Sequence, residues 1–145
     1  MRFWDSSAII PLLVPETTSA KMQKLFESDP TIIAWWASEV ECVSAISRAQ
    51  RLEHLDDETA AGAIDRLSTF RHVWHEVEPG DGIRESAKRL LRVHDLRTAD
   101  ALQLAAALFA SEDRPSTLEF VSLDVRLLAA AHREGFVIVT IKPRE

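Results

Sequence analysis

A single cysteine, Cys42, stands in 145 residues, which rules out an internal disulfide and leaves no thiolate set for zinc. Glycine is equally scarce, and its four copies form no phosphate-cradling loop; no Walker-type lysine accompanies them, so nucleotide binding has no support. No Ser-centred nucleophile elbow is present either. No apolar run approaches the ~20 residues that a membrane helix needs, and the opening MRFWDSSAII does not read as a signal peptide. A cytoplasmic protein without membrane attachment is expected. Positive charge is also short: 17 basic against 23 acidic residues give a net charge of −6. That argues against a general nucleic-acid-coating protein, though not against a nuclease whose acids chelate a metal.

What is present is enough apolar material for a core, 46% of the chain, with no repeats or linkers. One domain over residues 1–145 is expected. Residues 1–4 form a short apolar strand ending at Asp5. Ser6 or Ser7 is expected to cap a helix to about Leu13, with Pro15 beyond its end. Residues 16–27 read as helix, 31–35 as strand, 37–54 as a long helix, 56–70 as another, and 73–77 as a weak strand. Helical spacing resumes over 83–93. Thr98 is expected to cap the most apolar helix, ADALQLAAALFA. Residues 118–123 form a strand ending at Asp124, RLLAAAHRE a helix stopped by Gly135, and 136–141 the last strand. Short strands alternating with helices imply an α/β fold, a three-layer sandwich on a parallel sheet. Ligands in such sheets sit beyond the carboxyl ends of the strands.

Two acids occupy that edge, because Asp5 and Asp124 each directly follow an apolar strand. Either alone is an ordinary helix cap; two at equivalent places share a crevice. Asp100 sits in the first turn of a helix whose only other polar side chain is Gln103. A favourable helix-end interaction explains an acid there, but not its place beside so much apolar surface. The long helix offers Glu39 and Glu41, and periodicity leaves open which points inward. Four acids from four segments repel one another unless a cation lies among them, which points to Mg²⁺ or Mn²⁺ acting on a phosphodiester. The five histidines show no convincing ligand spacing; His72 and His75 are three apart, at a helix end. Arg48, Arg51, Lys88, Arg89, Arg92 and Arg97 are candidate phosphate contacts, with Arg97 the foremost because it adjoins the Asp100 turn. The four tryptophans read as core or interface.

The motifs DSSAIIPLLVPE (residues 5–16), ECVSAISR (41–48), LRTADALQLAAAL (96–108) and FVSLDVRLLAAAHREGF (120–136) resemble, in order and spacing, the PIN-domain family, and within it the VapC toxins. The resemblance spans nearly the whole chain and favours Glu41 over Glu39. It implies a parallel sheet in the order 3-2-1-4-5. It further implies a Mg²⁺- or Mn²⁺-dependent endoribonuclease, the toxin of a type II toxin–antitoxin pair that inhibits translation and growth. Such a protein would be a homodimer restrained by a cognate antitoxin. Asp5 and Asp100 would be the principal metal ligands, with Asp124 and Glu41 completing the site and Ser7 and Ser122 holding waters or a carboxylate. The alternatives are an inactive PIN-like binding module and a nuclease acting on DNA, since a metal and four carboxylates do not read the 2′-hydroxyl. A metal-dependent phosphatase would show a second aspartate two residues after the first, where this chain has Ser7.

Overall fold

The computed structural model describes residues 1–141. Along the chain lie β1 (Arg2–Trp4), α1 (Ser6–Leu13), α2 (Ser19–Ser28), β2 (Ile32–Trp35), α3 (Ser38–Arg51), α4 (Asp57–Val73), β3 (His75–Val77), α5 (Asp81–Val93), α6 (Thr98–Ala110), β4 (Glu119–Val121), α7 (Val125–Arg133) and β5 (Val137–Ile138). The strands form one sheet in the order β3-β2-β1-β4-β5, and every pairing is parallel.

Period-two alternation along these strands creates the layers. Phe3, Ile33, Trp35 and Phe120 face α5, α6 and α7, while Trp4, Ile32, Ala34 and Val121 face α1 to α4. Phe3 stacks on Phe120 with centroids 5.5 Å apart, a pairing worth about 1 kcal/mol beyond simple burial. The helix most free of polar residues, α6, buries Ala101, Leu104, Ala105, Ala106 and Ala107 nearly completely. Helices of this kind form because their apolar face has somewhere to go, rather than from propensity alone.

Several boundaries differ from the sequence expectation, each for a local reason. The α1 cap is Asp5, not Ser6 or Ser7, because its Oδ1 reaches the Ala8 amide at 3.3 Å. The cap of α6 is the extended backbone of Arg97, so Thr98 is the first helical residue and Asp100 the third. Residues 16–18 stay outside α2, where Ser19 Oγ accepts from the Glu16 amide at 2.8 Å. The last strand is only Val137–Ile138. Gly135 does end α7: it follows the cap residue with φ +103°, and a Cβ there would come within 3.2 Å of the Pro115 ring. Trp4, Trp35 and Trp74 are buried, whereas Trp36 is half exposed.

Candidate active site

The register of β1 and β4 brings two acids to one edge. Trp4 pairs with Val121, so Asp5 and Ser122 emerge side by side, and the Asp5 amide donates to the Val121 carbonyl at 3.1 Å. Asp5 is 3% exposed. Its Oδ1 accepts from Ser7 Oγ at 2.8 Å as well as from the Ala8 amide. Burial pushes its carboxyl up from 3.8 to about 7, helped by the charge of Asp124 and opposed by hydrogen bonds from Ser7, Ser122 and Ala8.

The two serines lace the first and last acids together. Ser7 Oγ lies 3.3 Å from Ser122 Oγ and accepts from the Leu123 amide at 2.9 Å, while Ser122 Oγ accepts from the Asp124 amide at 3.0 Å. Asp124 caps α7 through Oδ1, which accepts from the Leu127 amide at 3.1 Å. The cap reading of Asp5 and Asp124 is therefore correct for both, and it fixes one oxygen of each beside the crevice.

Glu41 enters from α3 and Asp100 from α6. Burial raises Glu41, and the charge of Asp100 adds to this against hydrogen bonds from Gln103 and Ser6. Burial also raises Asp100, with the Asp124 charge adding and Arg97 and Arg126 opposing. Glu39 points elsewhere, toward Arg71 at 4.0 Å. The inward acid of α3 is Glu41. A cleft of about 430 Å³ opens over the cluster, lined by Arg97, Ala99, Asp100, Asp124, Val125 and Arg126. Asp5 and Glu41 are not among its lining residues.

Electrostatic coupling thus runs in series, from Asp5 to Asp124 to Asp100 to Glu41. The acids are gathered but not fully converged: among the described residues, no three His, Cys, Asp or Glu side chains form a ready coordination group. The donor set nonetheless fits a hard divalent cation, being all carboxylate, desolvated and mutually repelling. Cys42, next to Glu41, is no competitor. Burial and the nearby charges of Glu41 and Asp5 push its thiol up to about 12, so it remains protonated and inert.

Gln103 is a site residue that sequence reasoning noticed without assigning. Its side chain is buried, and Nε2 donates to Glu41 Oε1 at 2.7 Å and to Ser38 Oγ at 2.9 Å. The signal was there: one amide in an otherwise apolar helix must find partners. Replacing Gln103 with Met keeps length and removes the donor. The expected result is a tenfold or greater loss of kcat, about 1.4 kcal/mol, with the melting temperature within a few degrees of wild type. An unchanged kcat in single-turnover assays would show that Glu41 needs no such tether.

Among the proposed phosphate contacts, Lys88 and Arg89 are already engaged. Lys88 pairs with Glu85 at 3.1 Å, and Arg89 with Glu134 at 2.6 Å. Arg97 does line the cleft, and so does Arg126, a residue without a signal of its own in the sequence.

A parallel sheet ordered 3-2-1-4-5, with acids from the β1–α1 junction, α3, α6 and the β4–α7 turn at its carboxyl edge, defines a PIN-type domain. The chain belongs to the VapC family of ribonucleases. It is 30% identical over 133 residues to Ribonuclease VapC45 of Mycobacterium tuberculosis (strain CDC 1551 / Oshkosh), covering 92% of this chain and 90% of that protein. Ribonuclease VapC49 of strain ATCC 25618 / H37Rv matches to the same extent. No family model matches the chain. The fold is shared with solved structures of low identity. VapC20 of Mycobacterium tuberculosis, a sarcin-ricin loop cleaving toxin, superposes with a TM-score of 0.67 at 21% identity, covering 99% of this chain and 100% of that one. A toxin–antitoxin complex from Klebsiella pneumoniae gives 0.66 at 16% identity, and FitAcB from Neisseria gonorrhoeae 0.67 at 12%, each covering 97% of both chains. No helix among the described residues is long and apolar enough to cross a membrane.

Proposed function

We propose that this protein is a Mg²⁺- or Mn²⁺-dependent endoribonuclease that acts as the toxin of a type II toxin–antitoxin pair and arrests growth by cutting RNA needed for translation. The observation that carries the reading is the gathering of Asp5, Glu41, Asp100 and Asp124 at one sheet edge, in a chain of the VapC family. Asp5 and Asp100 would be the principal ligands of the cation, with Asp124 and Glu41 completing its surroundings. A divalent ion held there offsets phosphate charge and makes water a usable nucleophile near neutral pH.

The protein's own groups prepare that chemistry. Ser7 and Ser122 fix the Asp5 carboxylate and the turn that carries Asp124. Gln103 holds Glu41 against α6. Arg97 and Arg126 place two guanidiniums beside Asp100, where they can draw the scissile phosphate to the acids without covering it. Cys42, buried and protonated, supplies no nucleophile, and the attacking group in this reading is water.

The Klebsiella neighbour is itself a toxin–antitoxin complex, which supports a cognate antitoxin as the restraining partner here. A homodimer and a cytoplasmic location complete the reading. Sequencing of RNA 5′ ends after controlled expression tests it. New ends should accumulate at defined sites with the wild type and not with Asp100→Asn. Identical end profiles would overturn the reading, and cleavage confined to DNA would move it to the alternative substrate.

A further inference from the structure

Arg126 lines two hollows at once. One is the acid cleft; the other, of about 110 Å³, is lined by His94, Asp95, Arg126, Ala129, Ala130 and Arg133. The shared side chain stands between them, so the two hollows follow one another from Asp100 and Asp124 along α7. Residues 126, 129, 130 and 133 form a single helical stripe. Its middle is two alanines, so the floor is low, and its ends are guanidiniums about 10 Å apart along the axis.

We infer that this stripe is a subsite for the phosphodiester backbone of the RNA substrate, with Arg126 beside the scissile phosphate and Arg133 holding a phosphate further along the same side of the strand. The inference rests on the nuclease reading above and adds where the rest of the strand lies. Guanidinium groups suit the role because their planar donors match phosphate oxygens.

Two features separate this stripe from an ordinary solvated helix face. The first is neutralisation of the neighbouring acid. Glu134 would otherwise cancel Arg133, but its carboxylate is bonded to Arg89 at 2.6 Å and to His94 at 2.7 Å, and its side chain is 13% exposed. The Arg89 guanidinium and the His94 bond hold that carboxyl below its usual range. No ion pair to Arg133 forms among the described residues. The second is reach, since Arg126 lines the same cleft as Asp100 and Asp124.

One acid opposes the stripe. Asp95 is 92% exposed and lies 3.8 Å from Arg126, across a loose pair between two exposed side chains. Such a contact contributes little, and a phosphate would displace it.

The test is binding of a fluorescently labelled single-stranded RNA by anisotropy, in EDTA and in an Asp100→Asn background so that nothing is cut. Salt is varied from about 50 to 200 mM. Arg126→Ala and Arg133→Ala should each weaken binding about three- to tenfold and flatten the log–log salt slope by about 0.7. Asp95→Asn should tighten binding about two- to fivefold, by removing a repulsive charge and freeing Arg126. Arg84→Ala, at the far end of α5, should leave both quantities unchanged. All three arginines are surface side chains, so these variants fold. Unchanged affinity and slope in Arg126→Ala and Arg133→Ala would overturn the subsite, as would an equal loss in Arg84→Ala. The two ideas fail separately. If wild type and Asp100→Asn cleave alike, the nuclease reading is wrong; if only Asp100→Asn is dead while the arginine variants bind normally, the subsite alone is wrong.

Discussion

Asp100→Asn is expected to abolish RNA cleavage, with a loss of about 10³-fold or more in kcat, equivalent to about 4 kcal/mol of transition-state stabilisation. The reason is position. Asp100 is the third residue of α6, lines the cleft, and couples electrostatically to both Asp124 and Glu41, so it sits in the middle of the acid series. The amide keeps the shape and removes the charge. The fold should survive, because the substitution relieves acid–acid repulsion rather than leaving a buried charge alone, and the melting temperature is expected to stay level or rise slightly. EDTA should reproduce the loss in the wild type, and added Mg²⁺ or Mn²⁺ should reverse it. The assay is a labelled RNA in single turnover. Activity persisting in EDTA, or in the variant, would contradict the account.

The second large effect is on stability and depends on pH. Burial raises the Asp5 carboxyl from 3.8 to about 7 in the folded protein, so the native state holds its proton more tightly than the unfolded chain does. Stability is therefore greatest below the unfolded pKa, falls as pH rises between about 4 and 7, and levels off above. A shift of about 3 units sets a ceiling of about 4 kcal/mol for that fall. Asp5→Asn removes the titration, but its amide N–H groups must be accommodated at a buried site, at a cost of about 1–3 kcal/mol. The net expectation at pH 8 is a gain of about 1–3 kcal/mol, shrinking or reversing at pH 4.5, read from urea midpoints. A stability difference independent of pH would show that Asp5 is ordinarily ionised. The same variant should be inactive, since function is what justifies so costly a carboxylate.

Much of this was legible in the sequence because it depends on local patterns. Short apolar runs mark β1, β2 and β4, and Asp5 and Asp124, at the ends of the first and last of these runs, fall at the carboxyl edge that such sheets use for ligands. Periodicity alone left Glu39 and Glu41 open; the family likeness favoured Glu41, and the Arg71 contact of Glu39 agrees. What escaped is non-local. Arg89 looks free until α5 is folded beside Glu134, 45 residues away, and Arg126 gains its place only when α7 meets the loop before α6. Caps moved by one residue for a similar reason. Whether Asp5 or Ser6 caps α1 depends on which oxygen reaches the Ala8 amide, and neighbouring capping residues look alike in a string of letters.

The claim beneath all of this is that the acids form one cation-binding centre. Calorimetric titration of Mn²⁺ into metal-stripped protein addresses it without reference to activity. The account predicts saturable binding by the wild type, weakened about tenfold or more (about 1.4 kcal/mol) by Asp5→Asn and by Asp100→Asn alike. Equal Mn²⁺ affinity in all three proteins would contradict it.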